Sequence, residues 1–273
     1  MKDTYYSIGI PNNKKICLLA DLHNQEYLPV LKSIDKNKPD MILYAGDIVE
    51  KYKTEGFDSI LDKSPNSVTL LKECARRAPT FFSLGNHECF ITEKDMEVLE
   101  SYGITVLDNR IVEHEEFLIG GLTSRRVMGY RYYKENYKDS PNFSQDEFLR
   151  IRKRLYKEFQ TDFSWLEPFE ESDKYKILLC HHPEYWAMQK PYLKDMPIDL
   201  VVAGHAHGGQ FRIYDIVHKR WQGVLSPDQG FFPQYSEGMH VNNNNHLIVT
   251  RGLANSVAPI PRFMNEKEVV YII

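Results

Sequence analysis

Residues 201–210 read Val-Val-Ala-Gly-His-Ala-His-Gly-Gly-Gln. A short apolar run closed by glycine is how a buried strand delivers its end to a sheet edge. The turn that follows can aim His205 and His207 at one small volume. Other apolar runs end in the same way: 15–20 leads into Asp21 and His23, 41–45 into Asp47, 80–84 into Asn86 and His87, and 175–180 into His181. In open α/β sheets the carboxyl ends of the strands form the crevice where ligands bind, so Asp21, His23, Asp47, Asn86, His181, His205 and His207 are expected to converge. These oxygen and nitrogen donors include no thiolate, which suits Mn, Fe, Zn or Mg better than a cysteine-held structural zinc. The seven donors exceed what one ion with open positions needs. Two divalent ions about 3.5–4 Å apart, sharing one carboxylate, fit the number. His87 follows Asn86 directly, and adjacent side chains diverge. It is therefore expected beside the metals without binding them, either placed to protonate a leaving oxygen or hydrogen-bonding to a ligand from outside.

The elements that must position these residues alternate. Leu28, Leu31 and Ile34 at spacing three predict a helix to about Lys36, stopped by Pro39 before the next strand. Ser64 and Pro65 read as cap and first residue of a helix carrying Val68, Leu71, Cys74, Ala75 and Ala78, and Thr92 caps a shorter one ended by Gly103. Between 104 and 122 the pattern changes to short strands joined by Asp108-Asn109 and by an acidic turn at 113–116, which suits antiparallel pairing. Residues 125–140 carry no clear period. Ser144 and Glu147 then form a capping box before the apolar stripe Phe148, Ile151, Leu155, Phe159, opposite a basic face. Strands follow at 211–214, 247–251 and 268–273, and one is expected at 5–10. The expected organisation is one domain over 1–273, with 123–172 a helical, basic and aromatic segment flanking the site.

Composition bounds the function. With 42% hydrophobic and 26% charged residues over 273 positions, the chain can build a large core. A net charge of -4 argues against a general polyanion binder. Cys17, Cys74, Cys89 and Cys180 have no Cys-x-x-Cys spacing, so reduced thiols and a cytoplasmic location are expected. No run approaches the about 18 apolar residues of a membrane span, and residues 1–11 lack the pattern of a signal peptide.

Asp21-x-His23, Gly46-Asp47, Gly85-Asn86-His87-Glu88, His181 after a strand, and Gly204-His205-x-His207 follow one another in the order of the motif blocks of the calcineurin-like metallophosphoesterases, which this chain resembles. Gly208-Gly209-Gln210, Arg251-Gly252-Leu253 and Pro261-Arg262-Phe263 are similar to the bacterial YkuE/YaeI-like phosphodiesterase branch. The resemblance implies two mixed β-sheets packed as a sandwich and flanked by helices, with a dinuclear centre at the strand ends. It implies one ion on Asp21, His23 and His207, another on Asn86, His181 and His205, and Asp47 bridging them. A hydroxide held between the ions would attack phosphorus in line, since coordination lowers the pKa of water from about 15.7 to near 7.

Other residues admit plainer readings. Asn24 and Glu88 either touch substrate, orient ligands or serve as turn and cap residues. Arg125, Arg126 and Arg131, with the tyrosines around them, either grip an anionic substrate or form ordinary surface. His182 should point away from His181 if the strand alternates. The expected activity is hydrolysis of a small-molecule phosphoester, most simply a diester. The alternatives are a monoesterase, a nuclease, disfavoured by the acidic balance and the lack of a basic aromatic groove, and a non-catalytic metal-binding scaffold for protein interactions.

Overall fold

A computed structural model of the chain describes residues 1–50, 59–159, 161–254 and 261–273. The polar stretch 51–62, which reads as a loop in the sequence, lies outside them over 51–58. The first half runs Lys2–Tyr6 (β1), Ile16–Leu19 (β2), Leu28–Asn37 (α1), Met41–Ala45 (β3), Pro65–Ala75 (α2), Thr80–Ser83 (β4), Glu93–Ser101 (α3) and Ile104–Leu107 (β5). There follow Arg110–His114 (β6), Phe117–Leu122 (β7), Arg125–Tyr137 (α4), Gln145–Glu158 (α5), Pro168–Glu171 (α6), Tyr175–Cys180 (β8) and Leu200–Ala203 (β9). Two small pairs, Arg212–Asp215 (β10) with Arg220–Gly223 (β11) and Leu225–Ser226 (β12) with Gly230–Phe231 (β13), precede Gly238–Asn242 (β14), Asn245–Val249 (β15) and Glu268–Ile272 (β16).

The larger sheets have six strands each, ordered β1-β16-β2-β3-β4-β5 and β14-β15-β9-β8-β7-β6. Strands β2 to β5 are parallel, as are β7, β8, β9 and β15, with antiparallel pairing at β16–β2 and at the edges β6 and β14. Parallel strands buried on both faces explain the unbroken apolar runs in the sequence. Side chains alternate about each strand. Ile16 and Leu18 of β2 join Leu43, Ile177, Leu179 and Val202 in the core between the sheets, whereas Cys17 and Leu19 face the opposite way, with Ile34, Leu71 and Leu99 of α1 to α3. The other face of the second sheet, with Leu178 and Val201, is covered by Phe169 and Trp186. The layers are helix, sheet, sheet, then short helices and loops, as the mixed two-sheet expectation requires.

Several local expectations change. Asp108 and Asn109 do not close a hairpin: β5 pairs parallel to β4 in one sheet while β6 starts the other, so this pair carries the chain between sheets. The acidic turn does join antiparallel partners β6 and β7. Residues 125–140, without visible period, are mostly α4. Its inward side chains include Tyr133 and Met128 among arginines, and tyrosine, apolar along the ring and polar at its tip, blurs a stripe. The first strand lies at Lys2–Tyr6, earlier than expected, and β14 escaped the pattern because it alternates between half-buried and exposed positions and buries no apolar residue. Thr92 and Asp95 form a capping box on α3, and the Ser144 hydroxyl accepts from the Glu147 amide on α5. Ser64 stands at the N-cap of α2 without bonding to it.

Candidate metal centre

Strands β2, β3, β4, β8 and β9 end at one edge of the sandwich, and the residues that follow them form one cluster, with those after β3, β4, β8 and β9 lining a cavity. The turns are tight. Asp21, His23, Asp47, His205 and His207 all have left-handed backbone, with φ of 57, 49, 54, 65 and 48°. Such conformations cost a non-glycine residue of order 1–3 kcal/mol and persist where the surroundings over-determine them, often at functional sites. The two glycines before Asp47 and Asn86 let the turns approach each other. A Cβ on Gly46 would lie 2.7 Å from the Gly85 Cα, and one on Gly85 would lie 2.3 Å from the Asp47 Oδ1.

Asp21, His23 and His207 present ligand atoms to one another in one group, and Asp47, His181 and His205 in a second; His23, Glu50 and His87, and His182, His205 and Asp228, form two further groups that overlap them. His207 Nε2 and His23 Nε2 lie 3.8 and 4.0 Å from Asp21 Oδ1, while His181 Nε2 lies 3.1 Å from Asp47 Oδ2. Both nitrogens of His23 and Oδ1 of Asn86 are buried without a hydrogen-bond partner, and Nε2 of His181 faces the Asp47 carboxylate. A buried polar atom left unmade costs about 1–3 kcal/mol, and several aimed at one cavity fit divalent ions. The remaining ring nitrogens are held. His181 Nδ1 lies 2.7 Å from the Ala45 carbonyl and His205 Nε2 3.0 Å from Asp228 Oδ2. Such outer contacts fix which nitrogen of a ligating imidazole faces the metal. At His207 the contact is different: Arg262 donates to Nδ1 at 3.2 Å. A guanidinium cannot accept, so this bond leaves the ring proton on Nε2, and coordination there requires Arg262 to move aside.

Charge is concentrated here. Burial acts to raise the Asp47 carboxyl, but His181 and His87 outweigh it and hold it well below the usual range. Burial acts to lower His181, yet Asp47 carries it up to about 10. Burial pushes Asp21 up to about 6 against the pull of His181. Burial, with His87 beside it, drops His23 to about 3. Burial also lowers His87 to about 4, Asp47 opposing and Arg126 reinforcing. His87 lies at the cavity wall, its Nε2 3.7 Å from Asp47 Oδ2 and its Nδ1 3.7 Å from Glu50 Oε1.

Glu88 has a different part from the one considered for substrate. Its fully buried carboxylate accepts from the amides of Asp47, Ile48, Val49 and Gly85, at 2.8, 2.9, 3.2 and 2.6 Å. It ties the turn carrying Asp47 to the turn carrying Asn86. Asn24 is likewise committed to the fold: its Oδ1 accepts from Asn66 and Ser67 at 3.0 and 3.3 Å and its amide donates to the Lys63 carbonyl. Asn24 caps α2, which Ser64 does not do, and this corrects its assignment to substrate. Arg131 is paired with Asp108 at 2.7 Å, away from the cavity. Arg125 and Arg126 line the cavity, of about 520 Å³, together with Asp47, Asn86, His87 and His205.

Sequence reasoning missed residues that the fold brings in. His182 does not point away. Its Nε2 lies 2.9 Å from the Ser124 hydroxyl and its ring 4.2 Å from that of His205. Alternation fails because β8 has ended and the chain turns into a short helix at Pro183–Trp186. Asp228, in a Ser-Pro-Asp-Gln-Gly turn, gives no signal beyond that of any loop aspartate.

Two mixed sheets carrying Asp and His donors at their strand ends define a metallophosphoesterase architecture. The chain belongs to the calcineurin-like phosphoesterase family, whose model matches residues 14–209, and is a metal-dependent phosphoesterase. It is similar to the phosphodiesterase YaeI of Escherichia coli, 29% identical over 258 residues that cover 88% of this chain and 75% of that protein. It is 24% identical to the uncharacterized metallophosphoesterase YkuE of Bacillus subtilis, covering 93% and 77%. Against an uncharacterized metallophosphoesterase of Helicobacter pylori it is 24% identical and spans 59% of that protein's length. Among solved structures, a dimetal phosphatase from Danio rerio aligns at a TM-score of 0.48 and 14% identity, over 88% of this chain and 87% of that one. Among the described residues no helix is long and apolar enough to cross a membrane.

Proposed function

We propose that the chain is a dinuclear phosphodiesterase. The observation that supports this reading best is the set of buried, unpartnered ligand atoms on His23 and Asn86 beside the groups formed by Asp21, His23 and His207 and by Asp47, His181 and His205. Asp21, His23 and His207 would hold one ion, Asn86, His181 and His205 the other, with Asp47 between them. The donor chemistry suits Mn, Fe or Zn. Divalent ions, when bound, supply an activated water at neutral pH and positive charge for the phosphoryl oxygens.

This chain's own residues do the rest. Glu88 fixes the separation of the two turns that present Asp47 and Asn86. Asp228 and the Ala45 carbonyl orient His205 and His181. His87 borders the cavity beside Asp47, but burial keeps its ring neutral near pH 7. The role supported by that electrostatics is donation of an N–H hydrogen bond to the leaving oxygen, in place of the full proton transfer expected from sequence. The diester preference rests on similarity to YaeI. The test is reconstitution with Mn, Fe or Zn and assay on bis(p-nitrophenyl) phosphate, with metal counted per chain. About two ions and chelator-sensitive turnover are expected. One ion per chain, with turnover indifferent to chelator, would refute the dinuclear reading.

A further inference from the structure

The cavity at the metal centre continues between α4 and α5, where Arg125, Arg126, Arg152 and Lys153 line it beside Tyr156. None of these four cations has a carboxylate partner among the described residues. Other arginines on the same helices are paired: Arg131 with Asp108, Arg150 with Glu147 and Arg154 with Glu158, at 2.7, 3.8 and 4.0 Å. The contrast follows the surface. Among the described arginines of α4 and α5, those facing away from the cavity meet carboxylates, and those facing it do not. Arg125 and Arg152 are positioned by backbone carbonyls, of Tyr156 and Leu149, and such bonds orient a guanidinium without neutralising it. The acidic groups in the cavity wall are committed elsewhere, Asp47 to His181 at 3.1 Å and Asp228 to His205 at 3.0 Å. Like charges gathered in a concave wall raise the local potential and draw an anion.

We propose that Arg125, Arg126, Arg152 and Lys153 form a second anion subsite, and that the substrate is a phosphoester carrying a second phosphate group. The substrate part rests on the phosphoester reading above; the subsite does not. A cavity of about 520 Å³ falls in the range that encloses a ligand much larger than one phosphoryl group. One phosphate would lie at the metal ligands, and the other among the cations of α4 and α5.

The subsite is tested without activity, by titrating inorganic pyrophosphate into metal-free protein by calorimetry. Binding is expected in the wild type. It should weaken about tenfold or more in Arg152→Gln/Lys153→Gln, since a hydrogen bond to a charged group is typically worth a factor of that order. Lys153 is exposed and its side chain has no hydrogen bond or ion pair among the described residues, so Lys153→Glu is the second variant, expected to weaken binding further. No pyrophosphate binding by the wild type, or equal binding by all three proteins, overturns the subsite. The substrate class is tested on a matched pair, thymidine 5′-(p-nitrophenyl phosphate) with and without a 3′-phosphate. The wild type should favour the 3′-phosphorylated ester in kcat/KM through a lower KM, and the double variant should lose that preference. Equal kcat/KM in the wild type overturns the second-phosphate substrate. Hydrolysis of neither ester by metal-loaded protein that still binds pyrophosphate counts against the phosphodiesterase and leaves the subsite standing.

Discussion

Replacing Glu88 by glutamine removes one negative charge and changes no shape, which isolates what the buried carboxylate does. Four backbone amides point at its two oxygens, Asp47 and Gly85 at one, Ile48 and Val49 at the other. Glutamine keeps one oxygen, so two of the amides would face an NH2 group, a donor against donors. A hydrogen bond to a charged group is worth about 1.5–3 kcal/mol, and a buried donor left unpaired costs the same order. Two such losses amount to about 3–6 kcal/mol. At roughly 2–4 °C per kcal/mol for a chain of this size, the melting temperature should fall by about 6–24 °C. Because the released turn carries Asp47, metal content per chain should fall as well. The assay is thermal unfolding followed by circular dichroism, with metal analysis on the same samples. A competing state makes the test sharp. Burial, with Asp47 beside it, pushes the Glu88 carboxyl up to about 7 against the pull of its amide donors. If it were protonated in the folded protein, glutamine would be its mimic. A Glu88→Gln variant melting within about 2 °C of wild type, with full metal content, would refute the carboxylate strut.

Asp47→Ala removes the carboxylate between the two ligand groups, and hydrolysis should fall below detection with loss of bound metal; normal turnover with full metal content would place the shared ligand elsewhere. His87→Ala should slow an alkyl phosphodiester more than a nitrophenyl ester, by about tenfold or more on the former, as loss of one hydrogen bond to a developing charge would do, with metal content unchanged; equal losses on both would make His87 a phosphate-positioning group. Asn24→Ala removes the cap on α2 and should cost about 1 kcal/mol of stability with kcat/KM unchanged, whereas a fall in kcat/KM at normal stability would return Asn24 to substrate. His181, carried up to about 10 by Asp47 against burial, is protonated at neutral pH and must lose that proton to coordinate. Apparent metal affinity should therefore rise with pH between 7 and about 10, by about tenfold per unit, and calorimetry in buffers of different ionisation enthalpy should show about one proton released. A pH-independent affinity would refute that competition.

The donors were legible in sequence because each follows its strand directly. A buried parallel strand needs a continuous apolar run, a tight turn needs a glycine or a left-handed residue, and the polar residue after it has one direction left, toward the sheet edge. Asp21, Asp47, Asn86, His181 and His205 all obey this local grammar. The supporting residues do not. Asp228 reaches His205 across 23 positions and Asn24 reaches Asn66 across 42. Glu88 was visible only as a neighbour of Asn86, yet it bonds to amides 39 to 41 residues away. Nothing in a local pattern encodes such pairings. The same limit explains Asp108-Asn109, where turn chemistry was read correctly and the sheet to which the next strand belongs was not.

The left-handed ligands and the Glu88 strut are two sides of one arrangement. Five of the expected ligands occupy backbone conformations that disfavour a side chain, so the turns would relax if nothing held them. At Asp47 the restraint is explicit: its amide is fixed by Glu88 at 2.8 Å and its Oδ1 accepts from the His87 amide at 2.7 Å. That leaves Oδ2 as the oxygen 3.1 Å from His181 Nε2. At Asp21 the carboxylate accepts from the His205 amide, so one ligand's side chain sets the other's backbone. Two of these links, Asp47 to His181 and Asp21 to the His205 amide, cross from the first sheet to the second. Slippage of one sheet against the other would break both at once. The inter-sheet core of Leu18, Leu43, Leu179 and Val202 therefore maintains the geometry of the metal centre as well as the stability of the fold, and cavity-forming substitutions there should lower metal affinity along with melting temperature.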